Sequence, residues 1–161
     1  MKSNSEFSIF LVDDDPFFLS VCEQYLHNSG FANITKFKSS TDFLNNLQLQ
    51  PDLIFLDYSM DSLNGIETLK KIKRFNPDSF VVFISGQENI DVAVNALKYG
   101  AFDYLIKNQI SEEKIKVVLE KGILLKNILA RKNKKSVLKR LLPFIGAVAL
   151  ILLIYKFFAQ S

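Results

Sequence analysis

Leu53-Ile54-Phe55-Leu56-Asp57 runs four apolar residues straight into a carboxylate, and Tyr58-Ser59-Met60-Asp61-Ser62-Leu63-Asn64-Gly65 follows it. A short, unbroken apolar run bounded by turn residues fits a strand covered on both faces, as in a parallel sheet. Open α/β sheets take their ligands at the carboxyl ends of their strands, where Asp57 would stand. A lone aspartate at such a place would merely cap the next turn. Its neighbours in the chain decide otherwise.

Toward the N-terminus, Phe7-Ser8-Ile9-Phe10-Leu11-Val12 reads as another buried strand and ends in Asp13-Asp14-Asp15-Pro16. Asp15 before Pro16 is a helix start: an N-cap carboxylate, then proline at the first helical position. That gives Asp15 a structural task and leaves Asp13 and Asp14 without one. Phe17, Phe18, Val21, Cys22, Tyr25 and Leu26 then recur at helical spacing until Asn28-Ser29-Gly30 stops the helix. Residues 31–38 form the most polar strand, hence an edge, and Ser40-Thr41-Asp42 opens a helix carrying Phe43, Leu44 and Leu47.

Beyond Asp57, a helix from Gly65 to Phe75 turns Ile66, Leu69, Ile72 and Phe75 inward and Lys70, Lys71, Lys73 and Arg74 outward. Phe80-Val81-Val82-Phe83-Ile84 is the fourth strand, ending in Ser85-Gly86. Val92, Ala93, Ala96 and Leu97 mark a helix stopped by Gly100. Ala101-Phe102-Asp103-Tyr104-Leu105-Ile106 is the fifth strand, ending in Lys107. Ser111-Glu112-Glu113 caps the last helix, with acids where the helix dipole favours them.

Five strand–helix pairs joined by short connections imply a parallel sheet with right-handed crossovers and helices on both faces. In the order 2-1-3-4-5, four contiguous strands bring Asp13, Asp14, Asp57, Ser85 and Lys107 to one edge. Three carboxylates that close repel one another unless a cation binds. A hard, oxygen-seeking ion such as Mg²⁺ suits that ligand set. A lysine and a hydroxyl beside them suit a phosphoryl group, one by charge and the other by a hydrogen bond.

Composition narrows the rest. All 17 acidic residues lie at or before Glu120, against 11 Lys and Arg in residues 1–120, so that part carries −6. Residues 121–161 hold nine basic residues and no acid, and the overall +3 therefore conceals two oppositely charged parts. A single cysteine, Cys22, excludes a disulfide framework and a cysteine-rich metal site. The lone histidine, His27, reads as structural. The first six residues contain no apolar core of secretory-signal length.

Four motifs together carry a resemblance. They are Val12-Asp13-Asp14-Asp15-Pro16, Leu56-Asp57-Tyr58-Ser59-Met60 with Gly65 eight residues past the aspartate, Ser85-Gly86, and Gly100-Ala101-Phe102-Asp103-Tyr104-Leu105-Ile106-Lys107. At these spacings the chain resembles the receiver domain of two-component response regulators, with the flavodoxin-like (βα)5 fold, over residues 6–125. The resemblance implies that Asp57 accepts a phosphoryl group from a sensor histidine kinase or phosphotransfer protein. Asp13, Asp14, Asp57 and the backbone carbonyl of Ser59 would bind Mg²⁺. Lys107 would pair with the phosphoryl group, Ser85 would hydrogen-bond it, and Tyr104 would be the switch aromatic. Such a protein is a phosphoacceptor that assists its own phosphorylation and dephosphorylation, not a conventional enzyme.

Two positions depart from the family pattern. Asn108 follows the lysine in place of the usual proline, which puts a cis peptide there in doubt. Asp61 replaces a proline after the methionine. Ser59 and Gln87 fall where the family tunes phosphoryl lifetime. Other phosphate chemistries fit less well. A haloacid-dehalogenase-type phosphatase needs an aspartate where Ser59 stands, a flavodoxin phosphate loop would meet repulsion from Asp13-Asp14-Asp15, and no Walker-type glycine loop is present.

Past residue 125 the composition changes. Residues 126–140 contain seven Lys and Arg and continue the last helix as a juxtamembrane linker. From Leu141 to Ala159 runs a stretch of 19 residues, uncharged as far as Tyr155, or about 28 Å as a helix against a bilayer core of about 30 Å. Its twelve Leu, Ile, Val and Phe residues favour insertion by about 4–7 kcal/mol. Lys156 can snorkel from near the end, and Pro143 falls in the first turn, where it is tolerated. The expectation is a transmembrane helix over 141–159, with the receiver on the cytoplasmic face of the inner membrane and anionic lipid against 126–140. No helix-turn-helix is read, so nucleic acid is not an expected partner. The stripe Ile115, Val118, Leu119, Ile123, Leu124, Leu125, Ile128 and Leu129 admits a parallel homodimer, interrupted at Gly122. The competing reading is a pseudo-receiver, a membrane-tethered binding module that is never phosphorylated.

Overall fold

A computed structural model describes residues 6–60, 64–86 and 90–159, with the side chains of 133, 135–139 and 142–159 left outside the description. Five parallel strands, β1 (Ile9–Val12), β2 (Ile34–Phe37), β3 (Leu53–Asp57), β4 (Phe80–Ser85) and β5 (Asp103–Ile106), form one sheet in the order β2-β1-β3-β4-β5. The helices are α1 (Pro16–Asn28), α2 (Ser40–Asn45), α3 (Gly65–Phe75), α4 (Ile90–Lys98) and α5 (Glu112–Ala159). The fold is the flavodoxin-like α/β arrangement, with the polar strand β2 at an edge as its composition predicts. β1, β2 and β5 are shorter than the segments expected for them, because a segment such as Phe7–Val12 continues past the paired ladder.

Strand alternation divides the core between two faces. Phe10, Val12, Ile54, Leu56, Val81 and Phe83 pack with Phe43 of α2, Leu69 and Ile72 of α3 and Ala96 of α4. On the other face, Leu11, Phe55 and Ile84 meet Leu19 and Cys22 of α1. Gly122 of α5 is buried, and a Cβ there would lie 3.6 Å from Leu53. A side chain there would meet Leu53 at ordinary van der Waals distance, so Gly122, expected to interrupt the apolar stripe, lies on the face of α5 that covers the sheet.

The helix starts follow local chemistry. Asp15 Oδ1 accepts a hydrogen bond from the Phe17 amide at 2.9 Å, with Pro16 next to the cap. α2 is capped by Ser39, whose Oγ accepts from the Asp42 amide at 3.1 Å. Ser40 opens that helix as expected, and its buried side chain donates to Met60 Sδ at 3.6 Å. Gly100 ends α4 at φ +95°, a conformation that favours glycine.

One apolar assignment, Phe75 as an inward residue of α3, is corrected, and two other apolar residues of the helical repeats are also exposed. Phe17 is 76% exposed, and Leu19 takes the inward place. Phe75, the last residue of α3, is 53% exposed, and Leu97 of α4 also faces solvent. Each lies on the flank of its helix, beyond the arc that the sheet can cover.

The chain divides into one compact unit, Met1–Gly122, and a second, Ile123–Ser161. The second is helical through Ala159. Among the described residues no helix is long and apolar enough to cross a membrane. The described part of α5 is too charged, with Glu112, Lys116, Glu120, Lys126 and Arg131 along it. The transmembrane helix expected over 141–159 is therefore not found in the structure, and beyond Leu141 its side chains lie outside the described residues.

Gly65 tests how tightly the turn after β3 is closed. A Cβ there would stand 2.6 Å from the Asp57 carbonyl oxygen and 2.8 Å from Tyr58 Cα, both backbone atoms. Gly65→Ala should therefore cost about 1–3 kcal/mol in thermal or denaturant unfolding. Gly86→Ala, with nothing within 4 Å of its Cβ position, should leave stability nearly unchanged. Equal effects at the two glycines would contradict the packing argument.

Candidate functional site

Register brings the site together. Val12 pairs with Leu56, so Asp13 and Asp57 stand side by side just past that pair. Asp57 pairs with Ile84, and Ser85 pairs with Ile106, which places Ser85 and then Lys107 one step further along the same edge. The Tyr58 amide donates to the Ile84 carbonyl at 2.8 Å, and the Asp13 amide to the Phe37 carbonyl at 3.1 Å, so both acid-bearing loops are tied to neighbouring strands.

Asp13 and Asp57 are 2% and 1% exposed, whereas Asp14 faces solvent. Asp13 Oδ1 accepts from the Asp15 amide at 2.9 Å, and Asp57 Oδ2 from the Ser59 amide at 3.0 Å. The remaining oxygens, Asp13 Oδ2 and Asp57 Oδ1, are buried without a well-aligned hydrogen bond. They face the Lys107 ammonium instead, at 2.8 and 3.1 Å. Lys107 Nζ also lies 4.8 Å from the centre of the Phe18 ring.

Burial pushes the Asp57 pKa up to about 6 from 3.8, and the neighbouring Asp13 charge pushes the same way, against the pull of Lys107. Burial raises Asp13 as well, with Lys107 and the Asp15 amide opposing. At Lys107 burial works against the charge, but pairing with Asp13 and Asp57 outweighs it and holds the ammonium above its ordinary pKa. The acids are thus under-compensated: three carboxylates and one ammonium leave a formal charge of about −2.

The donor set fits a divalent cation. One oxygen from each of Asp13, Asp14 and Asp57 lies within 4.8 Å of the other two. All three are hard carboxylate ligands, two of their oxygens are buried with the Lys107 ammonium opposite them, and the deficit of two charges equals what Mg²⁺ supplies.

Every expected site residue with described coordinates lies at this edge or just behind it. Ser85 is buried at the end of β4. Tyr104 is half-buried on β5, its ring stacked on Phe83 with centroids 6.5 Å apart and planes 22° apart. Ser59 follows the acceptor loop, and its amide already holds Asp57. The Lys107–Asn108 peptide is trans. Asp61 and Gln87 lie outside the described residues. The sequence reading missed Phe18, which it assigned to the core stripe. Its one signal there is position: the first turn of the helix that follows the acid pair.

The response regulator receiver domain model matches residues 9–120. The transcriptional regulatory protein ZraR of Klebsiella oxytoca is 33% identical over 122 residues, which is 75% of this chain and 27% of ZraR. The nitrogen assimilation regulatory protein NtrX of Azorhizobium caulinodans is 33% identical over 117 residues, 71% of this chain and 26% of NtrX. This chain thus spans about a quarter of the length of these curated relatives. Among solved structures, a response regulator receiver domain protein from Clostridium thermocellum superposes with a TM-score of 0.71 at 27% identity, over 76% of this chain and 98% of that one. Receiver domains typically bind Mg²⁺ at an acidic site and interact with histidine kinases or phosphotransfer proteins. With the sheet order, the acid cluster and the lysine all in place, the chain belongs to the response regulator receiver family of two-component systems.

Proposed function

We propose that this receiver is membrane-anchored and accepts a phosphoryl group on Asp57 from a sensor histidine kinase or phosphotransfer protein. It then signals by phosphorylation-dependent protein contacts. The observation that carries the reading is the Asp57 carboxylate, buried beside a second buried aspartate with one ammonium between them. A structural acid gains nothing from that surrounding. A nucleophile does, because a desolvated carboxylate is reactive and its charge is balanced only when ligands arrive.

An Asp57 oxygen forms the new P–O bond as the donor's P–N bond breaks, and the imidazole leaves with the bonding pair. Asp13, Asp14, Asp57 and the Ser59 backbone carbonyl would hold Mg²⁺, which neutralises charge on the transferring group when bound. Lys107, already against Asp57, pairs with the phosphoryl oxygens, and Ser85 donates a hydrogen bond to one of them. Tyr104 follows the Ser85 hydroxyl and biases the surface made by β4, α4, β5 and the start of α5. In this reading the protein assists its own phosphorylation and dephosphorylation and is not a conventional enzyme.

The same proposal makes 141–159 a single-pass span of the inner membrane, with the receiver in the cytoplasm and the 126–140 basic stretch against anionic lipid. The support lies in the sequence: an uncharged run from Leu141 to Tyr155 follows seven basic residues that begin at Lys126.

Incubating the 161-residue chain with Mg²⁺ and acetyl phosphate should add about 80 Da, the mass of one phosphoryl group, and Asp57→Asn should abolish the addition. No addition to the wild type would leave the pseudo-receiver, a tethered binding module. Stability carries a second signature. The folded state favours neutral Asp57, so the wild type loses stability as pH rises from about 4 through about 6. Without metal, Asp57→Asn should be more stable by roughly 2–3 kcal/mol at pH 7.5, and the gain should vanish below pH ~4. A gain that persists at pH 3.5 would refute the charge argument. In vesicle flotation, the chain should rise with the lipid and resist extraction by high salt, whereas a chain truncated after Ser136 should remain at the bottom.

A further inference from the structure

We infer that Phe18 is a positioning residue for phosphoryl transfer, holding the Lys107 ammonium in place beside Asp57. The inference rests on the Asp57 reading and adds to it a residue outside the acid, hydroxyl and lysine set. An ammonium has three N–H groups. Two directions around Lys107 Nζ are taken by Asp13 Oδ2 and Asp57 Oδ1, at 2.8 and 3.1 Å. The Phe18 ring face, with its centre 4.8 Å away, occupies a third. An aromatic face attracts a cation within about 6 Å, and more strongly where water is excluded.

Phe18 is well placed to be rigid. It stands in the first turn of α1, immediately after the Asp15 cap, and its side chain reaches the interior beside Leu11, Leu19 and Cys22. One end of the ring is therefore fixed by the core while its face meets the ammonium. Lysine's flexible four-carbon stem otherwise lets its charge wander at an entropic cost to any step that needs it in one place. Phe17, the adjacent aromatic, points to solvent and offers a natural comparison.

This gives Phe18 a role that packing alone does not require. When the phosphoryl group arrives, Lys107 exchanges a carboxylate contact for phosphoryl oxygens while the ring continues to hold the ammonium near the transfer line. A leucine at position 18 would fill the interior but offer no π face.

The test is a double-mutant cycle on the rate of Mg²⁺-dependent acetyl phosphate labelling. Phe18→Leu should slow labelling about 3- to 10-fold, while Phe18→Tyr should stay near the wild type. In a Lys107→Met background, Phe18→Leu should cause no further loss, because the ring acts through the lysine. Phe17→Leu should leave the rate unchanged. A wild-type rate in Phe18→Leu, or an equal slowing with and without Lys107, would overturn the inference. Proton NMR of the Lys107 Cε methylene gives a readout that needs no phosphorylation. The ring face should shift that signal upfield, and Phe18→Leu should return it to the ordinary lysine position. No upfield shift in the wild type would overturn the contact itself. A wild type that shows the shift but takes no phosphoryl group would instead count against the Asp57 reading.

Discussion

Two carboxylates share one ammonium at the edge of a buried sheet, and the other features of the site answer to that arrangement. Oxygens of Asp13 and Asp57 lie within 4.8 Å of each other, so their mutual repulsion is about 3 kcal/mol or more at an effective dielectric constant near 20. Lys107, 2.8 Å from Asp13 and 3.1 Å from Asp57, offsets it. Burial still disfavours the charges, which is why both acids are raised in pKa despite the lysine. The site is thus built in a state of charge deficit, ready for a cation and sensitive to any group added to Asp57.

Holding such a site requires a backbone that cannot relax around it. The β1–β3 and β3–β4 registers lock the two acids side by side, and the Ser59 and Asp15 amides fix one oxygen of each. Gly65 allows α3 to begin directly against the Asp57 carbonyl, and its Cβ position also lies 3.0 Å from the Phe83 ring. Phe83 in turn stacks on Tyr104, and the Tyr58 ring lies 5.9 Å from it. The acceptor loop and the β5 aromatic are therefore packed against the same β4 ring.

Away from this rigid centre the packing loosens. β1, β3 and nearly all of β4 are buried, whereas every residue of β5 is half-buried, and α4 leaves Ile90, Val94 and Leu97 in solvent. Elements with few buried apolar contacts open at lower free energy than the core. β5 and α4 are therefore the elements where least packing energy opposes a shift. Cys22 lies at the other extreme. It is buried with its thiol pKa pushed up to about 12 by burial, and it is an inert part of the core.

Much of this was legible in the chain. Apolar runs ending in Asp13, Asp57, Ser85 and Lys107, with turn residues between, were enough to give a parallel sheet, its polar edge strand and the residues gathered at one end. They were legible because parallel strands are apolar throughout and because their shared C-terminal edge makes register predictable. The charge asymmetry about residue 120 was equally a property of sequence. What periodicity does not resolve is which flank of a helix the sheet covers, so Phe75 is expected inward and Leu19 falls outside the expected α1 repeat, the reverse of what the structure shows. Nor does it show that Gly122 faces Leu53, or that Ser39 supplies the cap before Ser40 opens α2. The Phe18 ring against Lys107 joins residues 89 positions apart in sequence. Tertiary structure alone decided that contact, because it depends on where the β1–α1 turn and the end of β5 converge.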